Sequence, residues 1–281
     1  MAIRIFADSV SDIPKELSEE LGITIVPLQV NFADGSYRDG IDLSVEDFFA
    51  KLKTAEKMPT TSQVNPGEFI QAFGPVIKEG DDVICLTLSS KLSGTYSAAT
   101  TAKNFLDAGD QLTVVDTRAA SFGFGLIVME VAKMVGQGAS KEEIIAEINY
   151  MADHLENIFV FDTLEYLKKG GRLSSGEAFI GGLLNIKPIL TIIDGEVKPM
   201  DKVRGRKKAV KYVVDKLKAS GQDFTKTPLV IYHADDGDYM NEIKAAIEAD
   251  IPVSQWYVSK VGSVVGTHSG PGCVAISYIQ R

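Results

Sequence analysis

Short β-branched runs alternate along the chain with segments of helical periodicity. The first four runs lie at 3–7, 23–30, 82–88 and 112–116, and amphipathic segments follow them. Parallel strands need crossover connections, so this alternation is typical of a parallel sheet covered by helices. The sequence therefore predicts the α/β fold class, with a three-layer parallel-sheet domain at the N-terminus.

The pattern changes near residue 157, so we expect an N-terminal domain over 1–157 and a second α/β domain over 158–281. In the second part, Asp194-Gly195 stands between two apolar runs. Asp-Gly in that setting favours a type I′ hairpin, because both central residues of this turn need positive φ. A hairpin introduces antiparallel pairing, so the second sheet is predicted to be mixed.

Composition excludes several classes of protein. The 281 residues are 45% hydrophobic and 24% charged, which is ordinary globular usage. Lys+Arg 29 against Asp+Glu 38 gives a net charge of −9, and such a field disfavours nucleic acid as a partner. Cys85 and Cys273 form neither a disulfide framework nor a metal cluster. Without a signal-like N-terminus or a membrane-length apolar run, a cytoplasmic location is expected.

Two hydroxyl-rich segments precede predicted helices. Thr61 and Ser62 lie in what reads as a polar loop, and Ser93-Gly94 connects a buried-looking strand to a helix. Hydroxyls and amides at a helix N-terminus favour negative charge. The Walker A spacing is absent and no glycine stands two residues before Ser93, so neither a P-loop nor a nucleophile elbow is predicted. A carboxylate fits better than a triphosphate.

Other motifs have competing explanations. The segment from Asp8 to Asp12 follows the first strand, and capping of the next helix by Asp12 or Ser11 before Pro14 is favoured over ligand binding. Gly123-x-Gly125 lacks the third glycine of a dinucleotide fingerprint, and helix packing explains it. Arg172 follows Gly-Gly, which indicates either a guanidinium positioned for a carboxylate or phosphate, or a charge after a helix C-cap.

His268 is the histidine with the most distinctive context. It lies in a Gly/Pro-rich segment, 266–272, predicted to be a rigid loop between two apolar strands. There the imidazole offers a donor to a ligand or a general base. Since no second histidine or acid stands at a recognised ligand spacing, no metal site is predicted.

Taken together, these segments resemble the DegV family, bacterial fatty-acid-binding proteins that include the binding subunit of fatty acid kinase. The match runs essentially end to end. Its motifs are Asp8-Ser9-x-Ser11-Asp12, Thr61-Ser62-Gln63, Ser89-Ser90-x-Leu92-Ser93-Gly94-Thr95-Tyr96, Leu167-x-Lys169-Gly170-Gly171-Arg172-Leu173-Ser174, Lys187-Pro188 and Gly266-Thr267-His268-x-Gly270-Pro271-Gly272.

The resemblance implies a two-domain protein that buries one long acyl chain in a tunnel at the domain junction. Thr61 and Ser93 would bind the carboxylate, Thr267 and His268 would complete the polar network, and Gly94 would allow close backbone approach. The ligand-binding residues carried over in this way are Thr61, Ser62, Ser93, Gly94, Arg172, Thr267 and His268. Arg172 would act near the pocket mouth or in docking the kinase.

The same resemblance implies a binding subunit without catalysis or cofactor, whose fatty acid is phosphorylated by a separate kinase. Transient membrane contact is expected, with the basic stretch 202–211 as a candidate surface and a solvated helix face as its alternative. The Gly-rich stretch 170–182 is our candidate for the gate that admits the chain.

Two other functions compete with a fatty-acid carrier. One is a serine hydrolase acting on a small acyl ester, with Ser93 as nucleophile, His268 as base and an acid such as Asp116 orienting the imidazole. The missing elbow argues against it. The other is an interaction or regulatory protein in which a lipid is only a structural filler.

Overall fold

The computed structural model describes residues 2–173 and 185–281. The strands are β1 (Ile3–Asp8), β2 (Ile23–Val26), β3 (Gln29–Phe32), β4 (Gly35–Arg38), β5 (Thr60–Ser62), β6 (Asp82–Thr87), β7 (Leu112–Asp116), β8 (Leu155–Val160), β9 (Ile186–Ile193), β10 (Glu196–Arg204), β11 (Leu229–His233), β12 (Trp256–Lys260) and β13 (Val274–Ile279). The helices are α1 (Lys15–Glu20), α2 (Val45–Thr54), α3 (Pro66–Glu79), α4 (Thr95–Phe105), α5 (Ser121–Gly136), α6 (Lys141–His154), α7 (Glu165–Lys169), α8 (Arg206–Ala219), α9 (Gly237–Asp250) and α10 (Ser263–Ser269).

The first sheet is parallel, with strand order β2-β1-β6-β7. Helices α3 and α4 connect its strands and pack against β6. The second sheet has the order β10-β9-β8-β13-β11-β12, and it is mixed because β11 pairs with β12 in parallel while its other pairs are antiparallel. Two α/β domains, parallel then mixed, are thus confirmed.

One predicted strand was wrong in a way that affects the site. The run 23–30 is two strands in two sheets, because Pro27 interrupts it and lacks the amide donor that a continuing ladder needs. Its second half, β3, forms a three-stranded antiparallel sheet in the order β4-β3-β5. Thr61, expected in a loop, is paired with Val30 in that sheet.

The hairpin at Asp194-Gly195 is confirmed. Strands β9 and β10 are antiparallel, with Ile193 opposite Glu196. Asp194 has φ 53° and Gly195 has φ 80°, the pair of positive values that a type I′ turn requires.

The two faces of the mixed sheet belong to different hydrophobic cores. Ile158 and Val160 of β8 pack in a core with α8 and α9. Phe159, between them, and Phe161, just after β8, pack in the core shared with the N-terminal domain. Successive strand residues point to opposite faces, so one sheet contacts helices on one side and the first domain on the other.

Helix α5 lies between the two sheets and contacts β1 as well as β11 and β13. Gly123 and Gly125 of this helix are packing residues, as expected. A Cβ on Gly123 would lie 2.6 Å from Asn157 Oδ1, and one on Gly125 would lie 2.3 Å from the Ser11 carbonyl oxygen. In the described part of the chain, no helix is long and apolar enough to cross a membrane.

His268 is on a helix, which corrects the predicted loop. It lies in the last turn of α10, whose first turn is held by Asp12 and Asp39 from the N-terminal domain. Carboxylates capping the amides from distant parts of the chain stabilise a short helix that local sequence does not favour.

Candidate functional site

A cavity of about 380 Å³ lies between the mixed sheet and the loops of the N-terminal domain. Most of its wall is apolar. The apolar lining residues are Val10, Leu28, Leu88, Leu92, Ala120, Phe159, Phe161, Leu167, Ile192, Val197, Val261, Val264, Val265 and Ala275. The polar lining side chains include Thr61, Ser62, Gln63, Ser93, Ser121, Arg172, Tyr232, His268 and Ser269.

Thr61 and His268 are in direct contact at this cavity. Thr61 Oγ1 lies 2.9 Å from His268 Nε2. Burial and the nearby Arg172 charge together lower the pKa of His268 from 6.5 to about 4. The imidazole is therefore neutral at physiological pH, with one nitrogen protonated and the other an acceptor.

The other ring nitrogen of His268 faces the backbone of Gly170. Among the described residues no hydrogen-bond partner stands at His268 Nδ1. A Cβ placed on Gly170 would lie 2.2 Å from this atom, so a glycine is needed for the imidazole to occupy its position. Gly170 therefore has a packing function in addition to ending α7.

Arg172 is positioned by two backbone carbonyls. Its Nε donates to the Leu92 oxygen at 3.1 Å and its Nη1 donates to the Gly170 oxygen at 2.7 Å. These bonds tie the guanidinium to the loop before α4 and to the end of α7. They support the prediction of a positioned arginine more than that of a solvated charge.

Ser93 and Gly94 bring the start of α4 to the same cavity. Ser93 Oγ lies 2.9 Å from Thr95 Oγ1 and accepts the Thr95 amide at 3.3 Å. Gly94 is against Gln63, whose Oε1 would lie 2.0 Å from a Cβ at that position. We call Thr61, Gln63, Ser93, Arg172 and His268 the polar cluster.

Six of the residues predicted to bind ligand line the cavity, namely Thr61, Ser62, Ser93, Gly94, Arg172 and His268. Thr267 does not. Its buried hydroxyl donates to the Ser263 carbonyl at 2.9 Å, one turn earlier in α10. Being adjacent to His268 on a helix, it points to a different side of that helix.

The hydrolase triad considered above is not assembled. Ser93 bonds to Thr95, and His268 Nε2 bonds to Thr61. Asp116 Oδ1 accepts the amides of Ser90 and Arg118 at 3.2 and 2.9 Å, which is a turn-forming function. A relay needs the serine, the histidine and the acid in successive hydrogen bonds, and these residues do not form one.

Several lining residues were missed in the sequence. Gln63 lay in a quoted motif but was not counted with the site, and Tyr232 and Ser121 lay in segments read as core strand and helix. Tyr232 faces the cavity while its hydroxyl lies 3.0 Å from Ser277 Oγ. Strand alternation does not reveal which buried face borders a cavity, so no local signal marks Tyr232.

Two further predictions from the sequence concern the gate and the segment that follows β1. The greater part of the expected gate, 174–182, lies outside the described residues. The predicted capping of the first helix by Asp12 or Ser11 is wrong, because the N-cap of α1 is Pro14 without a side-chain hydrogen bond, and Asp12 accepts hydrogen bonds from Ser121 and Gly262 instead. The capping carboxylate of this segment is Asp8, which accepts the Val10 amide of a short 3₁₀ turn at 3.0 Å. Among the residues the structure describes, no three His, Cys, Asp or Glu side chains form a group that could hold a metal ion.

The chain is similar to known proteins over essentially its whole length. A family model described as "Uncharacterised protein, DegV family" matches residues 2–281. A DegV domain-containing protein of Caldanaerobacter subterraneus subsp. tengcongensis is 42% identical over 279 residues, covering 99% of both chains.

Solved structures extend this similarity to the fold. A DegV family protein from Thermus thermophilus, described by its fatty acid binding, superimposes with a TM-score of 0.94 at 33% identity, covering 100% of both chains. DegV of Bacillus subtilis, described as a fatty acid binding protein, superimposes with a TM-score of 0.89 at 34% identity, also covering 100% of both chains.

Proposed function

The chain belongs to the DegV family, and we propose that the cavity between its two domains binds one long-chain fatty acid. The observation that carries the proposal is a mostly apolar cavity that also contains the polar cluster. Relatives of the same fold that bind fatty acids support it. The acyl chain would lie along the apolar wall, and the carboxylate would meet the polar cluster.

The energetics favour this class of ligand. Each buried methylene contributes roughly 0.8 kcal/mol, so a long chain supplies most of the binding energy. An unpaired buried carboxylate opposes binding, and it is tolerated when hydrogen-bond donors and a cation compensate it. Hydroxyls of Thr61 and Ser93 and the guanidinium of Arg172 are donors of this kind.

The neutral state of His268 determines which hydrogen bonds the Thr61 hydroxyl accepts and donates. With the proton on Nε2, the imidazole donates to Thr61 Oγ1, and the threonine hydroxyl is then available to donate to a carboxylate. His268 Nδ1 is left as a buried acceptor next to Gly170, which avoids burying a donor without a partner. His268 therefore orients Thr61 in this proposal and is not a base.

We assign the protein a carrier role without catalysis of its own. A separate fatty acid kinase would phosphorylate the bound acid, with a carboxylate oxygen attacking the γ-phosphorus of ATP and releasing ADP to give an acyl phosphate. The carrier supplies the shielded acyl chain and an oriented carboxylate. This partnership rests on the family resemblance, and it places exogenous fatty acid on the route to phospholipid.

Loading and unloading need a brief encounter with a membrane surface. The exposed cations of β10 and α8, among them Lys202, Arg204 and Lys207, are the candidate contact. Their local positive charge would oppose the overall net charge of −9 near an anionic bilayer.

The test is the lipid content of the natively purified protein. Organic extraction followed by mass spectrometry should yield one fatty acid per chain, and delipidated protein should rebind radiolabelled palmitate with the same stoichiometry. Folded protein that carries no fatty acid and refuses palmitate would refute the carrier function. Stoichiometric labelling of Ser93 by a serine-directed phosphonate would instead favour the hydrolase.

The kinase step has a separate readout. Loaded protein incubated with a fatty acid kinase catalytic subunit and ATP should form acyl phosphate, which hydroxylamine traps as a hydroxamate. Palmitate binding without any acyl phosphate would retain the carrier and remove the proposed partner.

A further inference from the structure

The first turn of α10 contacts two buried carboxylates from distant parts of the chain. Asp39 Oδ1 accepts the amide of Ser263 at 3.0 Å and its hydroxyl at 2.6 Å. Asp12 Oδ1 accepts the amide of Gly262 at 3.0 Å. The first four amides of a helix have no partner within it, so these carboxylates satisfy groups that would otherwise be buried without one.

Asp12 also contacts the beginning of α5. Its second oxygen, Oδ2, accepts the hydroxyl of Ser121 at 2.5 Å, and its backbone carbonyl accepts the hydroxyl of Ser259 at 2.7 Å. Ser121 is itself a lining residue of the cavity. One carboxylate therefore joins two helices that border the ligand site.

The contact of Gly262 with Asp12 and Asp39 leaves no room for a larger residue at the start of α10. A Cβ on Gly262 would lie 2.5 Å from Asp12 Oδ1 and 3.5 Å from both carboxylate oxygens of Asp39. A residue with a Cβ at position 262 would therefore have to displace the Asp12 carboxylate. A helix held at this distance has little freedom to shift along or about its axis.

Helix α10 carries much of the cavity wall. Val264, Val265, His268 and Ser269 line it, and His268 is the member of the polar cluster that contacts Thr61. We propose that Asp12 and Asp39 are positioning residues for fatty acid binding, which fix the first turn of α10 and thereby the place of His268. This inference rests on the proposed function.

Electrostatics agree with this assignment. Burial raises the pKa of both Asp12 and Asp39, and the donors from Ser121, Gly262 and Ser263 lower it again. Asp39 also accepts hydrogen bonds from the Ser9 hydroxyl and the Val264 amide, so two acids are retained in an unfavourable environment where most of their donors belong to the segment 262–264. A role in holding that segment explains their presence.

The experiment compares palmitate affinity with stability in wild type and four variants. Asp39→Ala removes the acceptor for Ser263, Asp39→Asn retains an oxygen there, and Ser263→Ala removes only the hydroxyl. Ile243→Ala is the control, because it creates a cavity in the core beneath α8 and α9, away from α10. Titrations with radiolabelled palmitate are made well below each Tm.

We expect Asp39→Ala to raise the Kd roughly tenfold, the change that loss of one well-placed hydrogen bond gives. Asp39→Asn should restore most of the affinity, and Ser263→Ala should lie between Asp39→Ala and wild type. Ile243→Ala should lower the Tm and leave the Kd unchanged. Long-range ¹H–¹⁵N spectra should show the His268 ring signals displaced in Asp39→Ala and unchanged in Ile243→Ala.

An unchanged Kd and unchanged His268 signals in Asp39→Ala would overturn the positioning role, as would an equal loss of affinity in Ile243→Ala. If Asp39→Ala does not fold, the Kd and ring signals of Ser263→Ala decide by the same criteria. A wild-type protein that does not bind palmitate would refute the proposed function itself, which is a distinguishable result.

Discussion

Thr61 Oγ1 and His268 Nε2 lie 2.9 Å apart although 207 residues separate them in the chain. The hydroxyl belongs to β5 in the N-terminal domain, and the imidazole belongs to α10, between two strands of the mixed sheet. Their hydrogen bond joins the two domains at the cavity.

Ser93→Ala removes a hydroxyl from the polar cluster and should raise the Kd for palmitate roughly ten- to a hundredfold, since hydrogen bonds to charged groups contribute about 1.5–3 kcal/mol. Equilibrium binding of radiolabelled palmitate measures it. Ser90→Ala is the matched control, because Ser90 is exposed in the same loop and does not line the cavity. Equal affinities in the two variants would remove Ser93 from the site.

Gly170→Ala should weaken binding by displacing the imidazole. The new methyl group would lie 2.2 Å from His268 Nδ1, so the ring must move from Thr61. Overpacking of this size costs about 1–3 kcal/mol, equivalent to roughly a tenfold loss of affinity when it falls on the site. Calorimetric titration tests this, with Gly136→Ala as control because its Cβ meets no atom within 4 Å.

The protonation of His268 predicts a dependence of stability on pH. Its pKa is lowered from 6.5 to about 4 in the folded protein, so between these values the unfolded chain binds the proton. This contribution to stability is complete above pH 6.5 and is lost as the pH falls toward 4, by at most about 1.4 kcal/mol per pH unit. Urea unfolding of wild type and His268→Gln between pH 4 and 8 isolates it.

Ring nitrogen shifts give an independent check on His268. A protonated Nε2 and an unprotonated Nδ1 are expected at pH 7. A protonated Nδ1 at that pH would contradict the proposed donation to Thr61. A ring that titrates near 6.5 would contradict its burial beside Arg172.

Asp8 should change stability with pH in the direction opposite to His268. Burial raises its pKa from 3.8 to about 7, although the amides of Leu88 and Val10 donate to it. The folded protein then retains a proton that the unfolded chain releases, so this contribution to stability falls as the pH rises from 3.8 to about 7. Asp8→Asn should flatten the profile over that range in urea unfolding, and a profile unchanged from wild type would contradict the raised pKa of Asp8.

Helix α5 allows two kinds of glycine to be compared within one element. Gly123→Ala and Gly125→Ala should each destabilise the fold by about 1–3 kcal/mol, because the methyl groups would meet Asn157 and the Ser11 carbonyl. Gly136→Ala, in open space, should stabilise it by about 0.5–1 kcal/mol. Chemical denaturation gives the three values, and the same sign for all would contradict the packing.

Sequence reasoning succeeded where local chemistry decides the structure. Asp194-Gly195 needs two positive φ angles, and the Asp-Gly pair specifies a turn of that kind without any tertiary contact. The parallel first sheet and mixed second sheet also follow from local periodicity. Most of the predicted ligand residues reach the cavity because the motifs end strands or begin helices at the domain junction.

Sequence reasoning failed where contacts with distant residues determine the local structure. Nothing local indicates that 263–269 is helical, since its caps come from Asp12 and Asp39, 250 and 224 residues away. The pairing of Thr61 with Val30 is likewise set by β3, which begins only after Pro27 ends β2. Non-local hydrogen bonds therefore explain both errors.

The mixed sheet has one face on α8 and α9 and the other on the cavity, and this division separates two evolutionary demands. Residues such as Ile158 and Ile231 hold the sheet to its helices, while Phe159 and Tyr232 shape the space for a ligand. Substitutions on the second set change what fits without disturbing the first. The shape of the cavity can therefore change by substitution while the contacts between the sheet and its helices stay the same.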